Sequence, residues 1–444
     1  MTNLRGYRAS RVVTCDPKIA NGSNELGVIE NGVVVIDDAR VAFVGRESDA
    51  PPVRNWTDCG ERVITPGLID AHTHACWAGS RHDEYVARMA GGDYRAIAAA
   101  GGGILSTHRA VMAASEDELV HQLTGRLSRM LRLGVTTCEV KSGYGLVADA
   151  ELKQLRAIAR ASKMPNLPHI VPTFLALHAV PPGVDRDQYV ASVVNETLPA
   201  VAREQLAQFV DAYIDANAFT AEQGRAIATA ARAHGLGIRM HVGQFADIGG
   251  AELCADFSAA SADHLEHIGD AGIERLAAAK THAVLLPTAS FLLRQAPPPI
   301  DKLRAAGIAL VVASDANPGT APTESLPLAM ALAVRLYGLT PAEAILGATR
   351  NAANALRLGD RGVLASGNWA DLCVWELPHE FAILQPWGVS RTERVVCSGI
   401  EDRARSRPSA DMTTKASSPA SRERESVTKS REGEGSRPPR KNPR

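Results

Sequence analysis

Short apolar runs separated by turn signals open the chain. Arg11 to Thr14, Gly32 to Ile36 and Val41 to Gly45 read as strands, with Asp37 and Asp38 marking the turn between the last two. Similar runs return after residue 360, at Gly362-Val363-Leu364, Ala370 to Trp375 and Arg394 to Val396. Between these β-rich ends the pattern changes to alternating strand and helix. Val210 to Ile214 reads as a strand, and Thr220-Ala221-Glu222-Gln223 is a capping box whose Thr accepts from the first helical turn while Gln reaches back. An alanine-rich helix follows over Ala221 to His234, Gly235 supplies a left-handed cap, and Leu236 to Met240 starts the next strand. Thr340-Pro341-Ala342-Glu343 is a second capping box with Pro at the first helical position, predicting a helix toward Leu358 stopped by Gly359.

This rhythm predicts an α/β fold: a (β/α)8 TIM-type barrel with a small composite β-sandwich domain built from both termini. Residues 1–65 are expected to form the N-terminal part of the sandwich domain, 66–360 the metal-dependent barrel, and 361–402 the C-terminal part of the sandwich domain. Residues 403–444 are expected to be a disordered basic tail. They hold twelve Lys and Arg against five Asp and Glu, a charge of +7 that leaves −8 on the remainder of a chain whose total is −1. Almost free of large apolar residues, this segment cannot bury enough surface to offset ordering entropy. With 444 residues, 45% hydrophobic content and that near-neutral total, the chain can build a large core and has no overall bias toward nucleic acid or membranes. Seven scattered cysteines without a CxxC pair predict reduced thiols, and Met1 to Gly6 lacks an apolar leader; both point to the cytoplasm.

The candidate chemistry starts at Pro66-Gly67-Leu68-Ile69-Asp70-Ala71-His72-Thr73-His74. Alternate residues on a strand share a face, so His72 and His74 can aim two imidazoles at one ion. His241, His264 and Asp315 each lie at or just past the end of a segment that reads as a buried strand, and a parallel barrel gathers its strand ends on one rim. The spacing therefore predicts one metal site formed by His72, His74, His241 and Asp315. Imidazole and carboxylate suit zinc and iron alike, so the cofactor is expected to be a single divalent or trivalent ion of either kind. Such a site leaves room for a water, whose pKa a catalytic ion can lower from about 15.7 to about 7. His264 is then left for proton transfer or oxyanion stabilisation, and Asp315 can accept the attacking water's proton.

These motifs resemble the amidohydrolase superfamily. Within it, the strings Ala78-Gly79-Ser80-Arg81, Ala98 to Thr107, Glu139-Val140-Lys141-Ser142-Gly143-Tyr144-Gly145, Leu177-His178-Ala179-Val180-Pro181 and Ser314 to Thr320 are similar to the imidazolonepropionase family. That resemblance implies hydrolytic opening of 4-imidazolone-5-propanoate to N-formimidoyl-L-glutamate in histidine degradation. It further implies that Tyr144, His178 and Gln244 contact the imidazolone ring, with Asn317, Gly319 and Thr320 around the glutamate-like portion and Tyr94 as a weaker candidate. Arg81 offers a planar fork suited to the propanoate. A small-molecule substrate and a homodimer are also implied.

Gln244 is counted with His264 and Asp315 among the catalytic candidates. In deaminases of the superfamily a glutamate in an HxxE motif moves protons to leaving ammonia; a carboxamide exchanges hydrogen bonds but takes no proton at neutral pH. His241-Val242-Gly243-Gln244 therefore speaks against deamination of a cyclic amidine or purine, the main alternative activity. A catalytically silent binding protein would lack ligands, and all four are present. Lys141 raises a binuclear variant with a carbamylated lysine, which its KSGYG context disfavours. Cys76, two residues past His74, is read as a packing thiol.

Overall fold

The computed structural model describes residues 4–92 and 101–402. Tyr94, residues 98–100 of the Ala98 to Thr107 string, and the 403–444 tail lie outside the described residues. The terminal sheet takes β1 (Arg5–Val13), β2 (Val28–Asp37), β3 (Arg40–Arg46), β4 (Asn55–Asp58) and β5 (Val63–Pro66) from the N-terminal side. The barrel strands are β6 (Leu68–Asp70), β7 (Val135–Lys141), β8 (His169–Leu177), β9 (Phe209–Ile214), β10 (Gly237–Val242), β11 (Ser261–His264), β12 (His282–Leu285) and β13 (Leu310–Val312). The chain then returns to the first sheet with β14 (Leu372–Trp375), β15 (Thr392–Cys397) and β16 (Ile400–Glu401).

In the terminal sheet the order is β16-β15-β14-β5-β1-β2-β3, with β4 beside β1. The two ends of the chain join where β5 meets β14, Ile64 opposite Val374. Inward alternation on these strands buries Tyr7, Val12, Val34, Ile36, Ile64, Leu372 and Val374 in one apolar cluster. Gly362-Val363-Leu364 is not a strand: Gly362 adopts φ +74, and Leu364 contributes a single bond from its amide to the Thr14 carbonyl.

β6 to β13 are parallel neighbours in sequence order, the barrel the βα rhythm predicts. Gly67 carries the chain from β5 into β6 with its backbone against Thr136; a Cβ there would lie 2.1 Å from the Thr136 hydroxyl. The seam between β6 and β13 is closed just beyond both strands. The Asp315 amide donates to the His72 carbonyl at 3.1 Å and the His74 amide to the Ala316 carbonyl at 3.0 Å, around a parallel bridge between Thr73 and Ala316.

The helix over Ala221–Ala233 has its capping box in place, with Thr220 and Gln223 exchanging bonds and Gly235 at φ +74. The helix predicted from Pro341 toward Leu358 is instead two, Pro341–Gly347 and Arg350–Ala355. Its interruption has a tertiary cause: the Ala348 carbonyl accepts from the Ile69 amide of β6 at 2.8 Å, and Thr349 leaves helical geometry. Arg357, at φ +57, takes the left-handed terminal position in place of Gly359.

Candidate metal centre

His72 and His74 emerge just past β6, His241 sits near the end of β10, and their ligand nitrogens lie within 4.8 Å of one another. All three rings are buried. The His74 and His241 Nε2 atoms are 3.3 Å apart, and Asp315 Oδ1 lies 3.6 Å from His72 Nε2 and 3.4 Å from His74 Nε2. Asp315 is just past β13 with φ +56, a backbone held by the seam bond to His72. The structure thus brings together the four residues that spacing predicts as ligands.

A cation fits this set. His72 Nδ1 is taken by Asp263 Oδ2 at 2.6 Å and His241 Nδ1 by Asp211 Oδ1 at 3.0 Å, which turns both Nε2 atoms inward. His72 Nε2 has no hydrogen-bond partner among the described residues although it is buried. Burial, the Lys141 charge and the neighbouring imidazoles hold the His72 pKa well below the ordinary histidine range; burial and His241 do the same for His74. The imidazoles are therefore neutral, as ligation requires. Burial drives the Asp315 carboxyl up to about 7. His72, His74 and His241 form a site for a divalent metal, with Asp315 beside it.

Behind the imidazoles lies a ring of buried charge. Lys141 Nζ bridges Glu139 Oε1 at 2.9 Å and Asp211 Oδ2 at 2.8 Å, and Arg239 reaches Asp263 Oδ2 at 3.2 Å and the Ala71 carbonyl at 2.6 Å. Glu139 also accepts from the Thr73 amide at 3.0 Å, between the two histidines. Burial works against both the Lys141 ammonium and the Asp211 carboxylate, yet their pairing outweighs it: the lysine is raised and the aspartate depressed. Lys141 is thus an ammonium committed to two carboxylates; a carbamate would set a third anion against them. Cys76 is a packing thiol, its Sγ against the Gln154 carbonyl and its pKa pushed by burial up to about 12.

The remaining predicted residues surround this centre. His178 stacks on His74 with ring centroids 5.4 Å apart, donates through Nδ1 to the Gly143 carbonyl at 2.8 Å, and is held by burial down to about 3. Tyr144 packs 5.3 Å from His178. Gln244 Oε1 accepts from the Tyr213 hydroxyl at 2.7 Å, and Gln295 donates to the Gln244 carbonyl at 2.9 Å. His178 and Tyr213 also line a cavity of about 380 Å³ with Ile104, Leu105, Arg186 and Phe245.

His264 ends β11 with its ring 6.1 Å from His72. Burial opposes a charge on His264, but Glu266 and Asp315 outweigh it and the pKa is raised. Arg81 is buried and pairs with Glu84 through Nε at 2.9 Å and a terminal nitrogen at 2.6 Å. Gly319 lets Arg81 approach: a Cβ there would sit 2.1 Å from a guanidinium nitrogen. Asn317 Oδ1 accepts from the Gly319 and Thr320 amides at 2.8 and 2.7 Å, and Nδ2 donates to the Asp315 carbonyl at 2.7 Å. The Asn317 side chain thereby shapes the loop that carries the other two residues.

Sequence reading missed Asp211, Asp263, Glu139, Arg239, Tyr213, Gln295 and Glu266. A signal for the first four was available: single charges inside otherwise apolar strand runs, as in Phe209-Val210-Asp211-Ala212 and Ala262-Asp263, which are tolerated in a buried strand when paired.

A family model described as the amidohydrolase family matches residues 63–401. An imidazolonepropionase from Methylobacterium sp. (strain 4-46) is 45% identical over 378 residues, 84% of this chain and 93% of that protein. An imidazolonepropionase from Hyphomonas neptunium is 43% identical over 401 residues, 88% of this chain and 98% of its own. Among solved structures, an atrazine chlorohydrolase from Arthrobacter aurescens complexed with zinc superposes with a TM-score of 0.64 at 17% identity, covering 89% of this chain and 94% of that one. An A. niger ochratoxinase gives 0.64 at 19% identity over 90% and 95% of the two chains. At these identities the structural matches speak for the fold.

Proposed function

We infer that, because this chain belongs to the amidohydrolase family and within it to the imidazolonepropionases, it hydrolyses the ring C–N bond of 4-imidazolone-5-propanoate to give N-formimidoyl-L-glutamate in histidine degradation. The observation that carries the chemistry is the meeting of three neutral imidazoles from β6 and β10 beside Asp315 on one barrel rim. His72, His74, His241 and Asp315 would hold a cation, zinc or iron, which would supply the Lewis acidity that makes water nucleophilic at neutral pH.

The chain's own groups divide the remaining work. Arg81, turned from Glu84 or shared with it, takes the propanoate through its planar fork. Tyr144 and His178 form an aromatic wall for the imidazolone ring, while Gln244, with its oxygen engaged by Tyr213, has Nε2 left to donate. Gly319 and Thr320, on the loop shaped by Asn317, border the carboxylate-bearing arm. Asp315 accepts the proton of the attacking water at its carboxylate, and His264 takes that proton on at Nε2 and delivers it to the leaving ring nitrogen. Water adds to the ring carbonyl carbon, the C–N bond breaks, and its electron pair stays on that nitrogen. A carboxamide at 244 fits a reaction that expels no ammonia. This reading carries with it a small-molecule substrate, a cytoplasmic setting for the unpaired thiols, and a homodimer.

Purified metal-loaded protein incubated with freshly generated imidazolonepropanoate is expected to remove the ring absorbance and yield formimidoylglutamate. Stoichiometric ammonia, or an unchanged spectrum, overturns the assignment.

A further inference from the structure

His264 and Leu265 adopt φ +82 and +72, two consecutive left-handed residues without a glycine. Such backbone persists where its surroundings over-determine it. Here the Leu265 amide donates to the Val242 carbonyl at 3.0 Å and the His267 amide to the Gly243 carbonyl at 2.8 Å, tying the turn to the strand that carries His241. The turn brings Glu266 back to the imidazole, with Oε2 3.5 Å from His264 Nδ1. Both atoms are buried, and neither has another hydrogen-bond partner among the described residues. At that separation the pair is a charge contact rather than a closed hydrogen bond, of the kind that tightens when substrate arrives.

The other oxygen of Glu266 is fixed from behind. Oε1 accepts from the Ser290 hydroxyl at 2.8 Å, and Ser290 Oγ lies 2.6 Å from the Tyr337 hydroxyl. Since Ser290 spends its proton on Glu266, Tyr337 is the donor to Ser290. The chain is buried throughout, and its outer two members line a separate cavity of about 580 Å³ with Tyr85, Met89 and Phe291. None of Glu266, Ser290 and Tyr337 is needed to hold the metal ligands.

We propose that Glu266 is a positioning residue for His264: pinned by Ser290 and Tyr337, its carboxylate keeps the proton on Nδ1 and leaves Nε2 to face the reacting ring. The proposal rests on the reading of His264 as the group that handles the proton. A carboxylate that fixes an imidazole's tautomer contributes to turnover while binding neither substrate nor metal.

The test uses the full chain loaded with zinc. Glu266→Gln is expected to lower kcat roughly 10- to 100-fold with KM within about threefold and metal content unchanged. Ser290→Ala and Tyr337→Phe are expected to lower kcat by smaller factors, and neither should add to the loss in a double variant with Glu266→Gln, because both act through that carboxylate. In ¹⁵N-histidine-labelled protein, the His264 signal, assigned by its loss in His264→Asn, should change from the Nδ1-protonated to the Nε2-protonated form in Glu266→Gln. An unchanged kcat in Glu266→Gln, losses that multiply in the doubles, or an unchanged tautomer overturns the proposal. If Glu266→Gln does not fold, Tyr337→Phe decides: a fall in kcat at constant KM supports the chain and an unchanged kcat defeats it. His264→Ala separates the two levels, since an unaltered kcat there removes the role of His264 itself.

Discussion

The terminal sheet leaves part of its strands exposed and the barrel buries nearly all of its own, and the two buried sets carry opposite chemistry. Val12, Val34, Ile36, Ile64, Leu372 and Val374 make the inner face of the first, whereas Glu139, Lys141, Asp211, Arg239 and Asp263, all buried, stand inside the second. The apolar face gains from each methylene it removes from water. The charged set is held by mutual pairing, and its three carboxylates also fix an imidazole or a backbone group near the metal site: Asp263 on His72, Asp211 on His241, Glu139 on the Thr73 amide. The sheet is thus tolerant of small volume changes, while the rim depends on every partner being present.

The largest expected effect is chemical. Dialysis against a chelator should abolish hydrolysis and added zinc or iron should restore it; turnover by verified metal-free protein would break the contrast at its root. Next, His264→Ala should lower kcat roughly 10²- to 10⁴-fold while leaving bound metal near stoichiometric, measured by elemental analysis alongside steady-state kinetics. Metal loss without a change in turnover would move His264 into the ligand set.

Lys141→Met tests the buried charge itself. It leaves Glu139 and Asp211 facing each other without a cation and should cost about 3–5 kcal/mol in denaturant unfolding. A loss below about 1 kcal/mol would mean that the pairing contributes little. The smallest effect belongs to the sheet: Ile64→Val removes one methylene and should cost about 0.5–1.5 kcal/mol with kcat and KM unchanged. A kinetic change there would show that the sheet and the rim are coupled more tightly than their packing suggests.

Much of the site was legible because it is written in short-range patterns. The two-residue spacing of His72 and His74 orients both rings whatever lies elsewhere, and the boxes at Thr220 and Thr340 announce helix starts through bonds within four residues. Where local and long-range bonds compete, local reading failed. The helix after Thr340 breaks because the Ala348 carbonyl is claimed by Ile69, and Gly362 to Leu364, apolar enough for a strand, finds only one backbone bond to Thr14.

The alternation of strand and helix in the middle of the chain, the HxH pair, the absence of a proton-accepting side chain at Gln244 and the family itself were determined by the sequence alone, since each is a matter of neighbouring residues or of residue type. Tertiary structure decided which charges meet. Asp263 reaches His72 from 191 positions away, Lys141 joins Asp211, and Glu266 reaches Ser290 and so Tyr337. Closing a parallel barrel sets the distances between strand ends that periodicity leaves free, and only that closure turns isolated buried charges into an ordered site.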